Sequence, residues 1–200
     1  MNHSIDVHFV FADYFKTFGK QLQAAAYYVS KKVNEGHICF SIDLYNKEIE
    51  TGKVEQNPFL KEGELIDQNS LISLSCVSTS LAIVQPFVIN QGRFYLQRYF
   101  VYETQLLKRI GEFIQNEGDL IEKRKAALNS EKSFIQALFE SKEKQTNWQL
   151  VAALTSILYN FSIITGGPGT GKTTTVAKLL AVLYKIQPDL KVTLATPTGK

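Results

Sequence analysis

Lys172 and Thr173 are the residues whose types and spacing could do chemistry on a phosphate. They follow the loop Gly166, Gly167, Pro168, Gly169, Thr170 and Gly171 and precede Thr174. Gly166, Gly171, Lys172 and Thr173 fill the G-x-x-x-x-G-K-[ST] pattern, in which backbone N–H groups cradle the phosphates of a nucleotide. The glycines let successive N–H groups turn inward at the positive end of the following helix, and Pro168 stiffens that bend. Lys172 supplies a full positive charge for the terminal phosphates, the Thr173 hydroxyl is a hard oxygen ligand for Mg²⁺, and Thr174 adds a phosphate contact. The cofactors implied are a nucleoside triphosphate and Mg²⁺, with Lys172 and Thr173 as the catalytic pair and Thr173 as the metal ligand. Upstream, the Gln149 amide can donate to and accept from an adenine edge, or can equally be a surface glutamine.

The pattern becomes a mechanism where it stands between a strand and a helix. Phe161 to Ile164 reads as an apolar strand, and Thr174 to Lys185 as a helix with Val176, Leu179, Leu180 and Leu183 inward. A Gln187-Pro188-Asp189 turn then leads to a second strand, Val192 to Ala195. Strand, loop, helix and strand make a βαβ crossover, which needs a parallel sheet covered by helices. Ahead of it, Leu150, Leu154, Ile157 and Leu158 mark a helix that Asn147 or Thr146 can cap.

The earlier residues carry weaker chemical signals. From Asp6 to Asn34, Phe11, Phe15, Phe18 and Leu22 and then Ala25, Val29 and Val33 keep helical spacing, with Gly19 a break and Glu35-Gly36 a stop. That stripe is read as the core of a small domain in preference to a partner-binding face, since helical stripes usually face the interior. His37 to Ile42 alternates like a strand, and no partner suited to catalysis accompanies His37. Tyr45 to Ser70 reads as short helices joined by turns, and Leu71 to Ser78 as helix-like. Leu81 to Asn90, Gln91-Gly92 and Arg93 to Arg98 read as a β-hairpin. Arg93, Tyr95 and Arg98 interleave bases with aromatics, as a single-stranded nucleic-acid surface would, or are ordinary polar positions of a half-buried hairpin. Tyr99 to Asn116 returns to helical spacing, with Leu106, Ile110, Phe113 and Ile114 on one face. Gly118 to Thr146 is charged around one short helix, Glu131 to Phe139, for which Ser130 is the expected cap.

The expected fold class is therefore α/β: a mostly helical N-terminal domain with a β-hairpin over residues 1–117, a connector over 118–145, and the start of a P-loop parallel-sheet domain over 146–200. Two hundred residues with net charge +3 describe a chain able to bury a core, and the charge is too small to argue nucleic-acid binding. Cys39 and Cys76 belong to no metal-binding or redox spacing, so both are expected as reduced thiols. The N-terminus lacks a signal-peptide pattern and no apolar run reaches the roughly 18 residues of a membrane span, so a cytoplasmic, membrane-free protein is expected.

Asn147-Trp-Gln149, Gly166 to Val176 and Ala195-Thr-Pro-Thr-Gly-Lys200 together resemble the motifs of superfamily 1 DNA helicases, in their order and spacing, and within them the RecD-type subunits of exonuclease V. Gly36 to Cys39 and the hairpin ending in Tyr-Leu-Gln-Arg-Tyr are similar to the N-terminal domain of that family. The resemblance implies a RecA-like ATPase domain, Gln149 at the adenine, Lys172 and Thr173 at phosphate and magnesium, and Thr196, Pro197, Thr198, Gly199 and Lys200 beside single-stranded DNA. It further implies a 5′-to-3′ helicase motor working with RecB-type and RecC-type subunits at single-stranded and double-stranded DNA ends, in double-strand break repair. In that picture the first domain docks on the RecC-type subunit.

The sequence stops at Lys200, before the acidic magnesium-and-water motif and the second motor domain with its arginine finger. Phosphoryl transfer needs those groups. The expectation is that this chain by itself binds nucleotide weakly at most and neither hydrolyses ATP nor unwinds DNA. A non-enzymatic module that docks a partner and senses nucleotide, or another P-loop enzyme, are the alternatives.

Overall fold

The computed structural model describes residues 6–115, 117–140 and 145–195. The chain divides after Leu106 into two compact units.

In the first unit, Asp6 opens α1 (Val7–Asp13) by accepting from the N–H groups of His8, at 2.9 Å, and Phe9, at 3.2 Å, two of the donors a helix start leaves unpaired. A short 3-10 turn (Lys16–Phe18) follows, and Gly19, at φ 95°, breaks the helical path as its lack of a Cβ allows. Next comes α2 (Lys20–Asn34), whose Leu22, Ala24, Ala25, Ala26 and Val29 are wholly buried. Three consecutive small residues let neighbours approach this helix from several sides. It ends where Gly36, at φ 89°, donates to the Val33 carbonyl and His37 N–H to the Lys32 carbonyl, the paired closure of a Schellman motif. The backbone of His37 thus serves structure.

Against α2 lies a four-stranded mixed sheet in the order β1, β4, β3, β2. Its strands are β1 (Cys39–Ser41), β2 (Val77–Ser78), β3 (Phe87–Asn90) and β4 (Arg93–Leu96). β4 runs antiparallel to both β1 and β3, while β2 is parallel to β3. Alternation sorts the side chains. Phe40, Val77, Phe87, Ile89 and Phe94 enter the main core with α2, and Cys39, Val88 and Tyr95 turn to the other face against Phe100. Phe87 and Phe94 are fully buried, each contributing about 1.5 to 3 kcal/mol.

Two short helices complete this core. α3 (Ile42–Glu50) is capped by the Ser41 hydroxyl and α4 (Gln68–Ile72) by Asp67. Between them Asn57, buried, donates to the Ala24 carbonyl at 3.0 Å and accepts from Phe59 N–H, so a loop polar group is satisfied inside the core.

The structure corrects several local expectations. The helix-like reading of Leu71 to Ser78 fails because α4 ends at Ile72 and β-branched Val77 pairs with Phe87 instead. The hairpin is shorter than expected, starting at Phe87 just after Pro86, while Leu81, Ile83 and Val84 lie exposed outside it. Tyr95 is only 2% exposed, so Arg93, Tyr95 and Arg98 do not form an open stacking surface; Arg98 covers its neighbour Tyr99 at 4.7 Å. The division between units falls within α5 (Gln97–Ile114), not after residue 117, and its Leu106, Phe113 and Ile114 are exposed.

The second unit is helical over its described residues. α6 (Gly118–Ser130), α7 (Lys132–Leu138), α8 (Trp148–Leu158) and α9 (Lys172–Ile186) share a core of Leu128, Ile135, Phe139, Ala153, Ile157 and Val182. The charged stretch after Gly118 therefore carries two helices with buried apolar faces. Ser130 does not cap α7, since its hydroxyl donates back to the Ala127 carbonyl at 2.8 Å. Residues 161–164 and 192–195 are not strands among the described residues. A strand needs a hydrogen-bonded neighbour, and with Ile163 and Leu194 more than two-thirds exposed the expected parallel pairing is not formed by these residues. The coarse class, α/β with mostly helices and a small mixed sheet, stands. No described helix is long and apolar enough to cross a membrane.

Candidate nucleotide-binding site

The site is assembled from the start of α8 and the start of α9. Asn147, not Thr146, caps α8: its side-chain oxygen accepts from Leu150 N–H at 3.0 Å while its amide donates to the Phe139 carbonyl at 2.8 Å. One residue thereby ends α7, opens α8 and fixes the first turn on which Gln149 sits. From there the Gln149 amide reaches the Thr170 carbonyl at 3.4 Å.

The loop turns on Gly169, at φ 77°, and Gly171, at φ 80°, both in the left-handed region open to glycine. Thr170 closes the turn, its hydroxyl donating to the Gly167 carbonyl at 2.9 Å. A β carbon at Gly166 would come within 2.6 Å of that hydroxyl, so the first glycine of the pattern is required by packing inside the loop. The Lys172 ammonium spans the loop, donating to the carbonyls of Gly166 at 2.6 Å and Gly167 at 2.8 Å.

Gly171 is the N-cap of α9 and brings no side chain to it, which leaves the first-turn N–H groups free of a side-chain cap. Lys172, Thr173 and Thr174 are exposed there. Thr175, which sequence reasoning passed over in favour of Thr174, is the buried member of the run; its N–H and hydroxyl meet the Gly171 carbonyl at 2.8 and 3.0 Å. The only sequence signal for it was the position four residues after a glycine, one helical turn.

Gln149 opens onto a cavity of about 300 Å³ whose lining includes Glu140, Trp148 and Lys178. Lys178 is held with its ammonium 4.9 Å from the centre of the Phe139 ring. The donor set fits a polyphosphate: glycine backbone without side-chain bulk, a lysine and an uncapped helix start. It does not make a cage for a metal, and among the described residues no group of three or more His, Cys, Asp or Glu could hold one. The expected DNA-contacting residues Thr196, Pro197, Thr198, Gly199 and Lys200 lie outside the described residues.

A family profile described as an AAA domain matches residues 149–200. Over 120 residues, 58% of this chain and 18% of the relative, the sequence is 39% identical to RecBCD enzyme subunit RecD of Haemophilus influenzae. RecD of Buchnera aphidicola subsp. Schizaphis graminum is 28% identical over 202 residues, 97% of this chain and 32% of that relative. RecD of Mycolicibacterium smegmatis is 47% identical over 57 residues, 26% of this chain and 10% of the relative. The chain thus spans about a fifth to a third of the length of the first two relatives.

Proposed function

We propose, from the RecD-type character of this chain, that it supplies the nucleotide-binding start of an ATP-dependent DNA helicase subunit of the exonuclease V class. The observation that carries the proposal is the Gln149-to-Lys172 arrangement: an amide held against the loop on one side and an ammonium spanning it on the other. In this reading the unit after Leu106, in which α6 and α7 share a core with α8 and α9, carries the start of a RecA-like domain from residue 146, and the unit up to Leu106 docks on a partner subunit. The substrate is ATP. Gln149 orients the base, the backbone of Gly166 to Gly171 and the N–H groups of Lys172, Thr173 and Thr174 bind the phosphates, and Lys172 places positive charge where negative charge collects.

Thr173 would hold Mg²⁺ together with the phosphates; when bound, the ion supplies charge neutralisation for phosphoryl transfer. Thr196 to Lys200 would lie by single-stranded DNA. The partners are RecB-type and RecC-type subunits, and the work is 5′-to-3′ translocation during double-strand break repair. The printed names of the relatives, which are RecBCD subunits, support that assembly.

In the full-length protein, Lys172→Ala or Lys172→Gln should abolish ATP-driven unwinding while co-purification with the partner subunits persists. Unwinding retained at the parental rate would remove the motor assignment.

A further inference from the structure

Asn160 lies between the end of α8 and the segment that runs into the loop, and it ties three helix ends together. Its side-chain amide donates to the Phe113 carbonyl in the last turn of α5 at 2.7 Å. Its backbone N–H donates to the Glu117 carboxylate, at the start of α6, at 2.5 Å. Its side-chain oxygen accepts from Arg124 of α6 at 2.6 Å, and the same guanidinium donates at 2.8 Å to the Leu158 carbonyl that closes α8. A planar guanidinium serves two acceptors at once here, and its charge sits at the negative end of α8. Carbonyls that helix ends leave unpaired are thus satisfied by side chains 34 and 47 residues distant.

We infer that Asn160 is a positioning residue for the nucleotide site. Asn160 is the residue from which the short stretch 161–165 runs to Gly166, so its bonds fix where that stretch starts. Downstream, the bonds of Lys172 to Gly166 and Gly167 hold it. Upstream the hold is Asn160, through Glu117 and Arg124. Loosening that end lets the loop drift relative to Gln149, and an interaction that depends on both then weakens. The inference rests on the nucleotide reading above.

The test is equilibrium binding of a fluorescent ATP analogue with Mg²⁺ to the full-length protein, with thermal melting of each variant alongside. Asn160→Ala should weaken binding about tenfold. Glu117→Ala should weaken it about fivefold, whereas Glu117→Gln, which keeps an acceptor oxygen for the Asn160 N–H, should stay within about twofold of the parent. Ser156→Ala, which removes only a hydroxyl bonded within α8, is the control for a melting change without an affinity change.

Parental affinity in both Asn160→Ala and Glu117→Ala, with or without a lowered melting temperature, would overturn the inference. So would Glu117→Gln binding no better than Glu117→Ala. Should Asn160→Ala fail to fold, the two Glu117 variants decide alone. Lys172→Ala separates the two claims: if it binds like the parent, the nucleotide reading falls, and if it loses binding while the Asn160 and Glu117 variants keep it, only the positioning role falls.

Discussion

The α carbon of Gly171 packs so closely on the side-chain amide of Gln149 that a β carbon there would overlap Nε2. One glycine therefore meets two demands, a left-handed backbone and room for a neighbour. Gly169 meets only the first, since a β carbon there finds open space.

The two glycines should respond differently to alanine. Each substitution forces an L residue into the left-handed region, at about 1 to 2 kcal/mol. At Gly169 that is the whole effect, so ATP and GTP binding should weaken equally. Gly171→Ala should in addition displace the flexible Gln149 amide and erode the preference for ATP over GTP. Competition binding of the two nucleotides checks this, and equal loss in both variants would detach Gln149 from base recognition.

The hairpin offers a stability prediction. Gln91, at φ 49°, is the one described non-glycine residue at positive φ, and Gly92 follows at φ 72°, as a type I′ turn requires at both central positions. Asparagine tolerates this region better than glutamine. Gln91→Asn should therefore raise unfolding free energy by a few tenths to about 1 kcal/mol, read from denaturant midpoints at unchanged m-value.

Asp67 predicts an acid-sensitive cap on α4. Its carboxylate accepts from the Ser70 hydroxyl at 2.6 Å and from the N–H groups of Asn69 and Ser70 at 3.0 and 3.1 Å, and these bonds, the hydroxyl first, hold its pKa below the ordinary carboxylate value. The folded state thus binds its proton less readily than the unfolded state. The stabilisation is present above the unfolded pKa of about 3.9 and is lost as pH falls through the lower folded value. Asp67→Asn keeps a capping oxygen without the charge, so the stability difference between parent and variant should shrink below about pH 4 in acid unfolding curves.

Features set by a few adjacent residues were legible in the sequence. Gly19 and Gly36 punctuate α2, Gln91-Gly92 turns the hairpin, Asn147 caps α8 and the loop follows its pattern, because each depends on local backbone demands. Features set by pairing across the chain were not. The side of the sheet on which Tyr95 lies follows from its register opposite Cys39, and α6 is marked by the burial of Leu128 in the core shared with α8 and α9, whereas α7 matches the helix expected over Glu131 to Phe139. Asn160 carried no signal, since its partners Phe113, Glu117 and Arg124 lie 36 to 47 residues away.

Tyr95 yields a prediction at the other end of the pH scale. Burial, and then its contact with Cys39, push its phenol up to about 12, while the ordinary value is 10.0. Between those two values the unfolded chain releases this proton and the folded chain keeps it, so stability is complete below pH 10 and falls as pH rises toward 12. Tyr27, Tyr28 and Tyr45 are raised as well, so the parent alone cannot assign the effect. Tyr95→Phe keeps a ring beside Phe100, whose centre is 5.2 Å away, and removes the proton. The variant should lose stability less steeply than the parent over that alkaline window, measured by denaturant unfolding at each pH. Parallel curves would mean that the Tyr95 hydroxyl ionises in the folded state near its ordinary value, and hence that solvent reaches the face of the sheet that Phe100 covers.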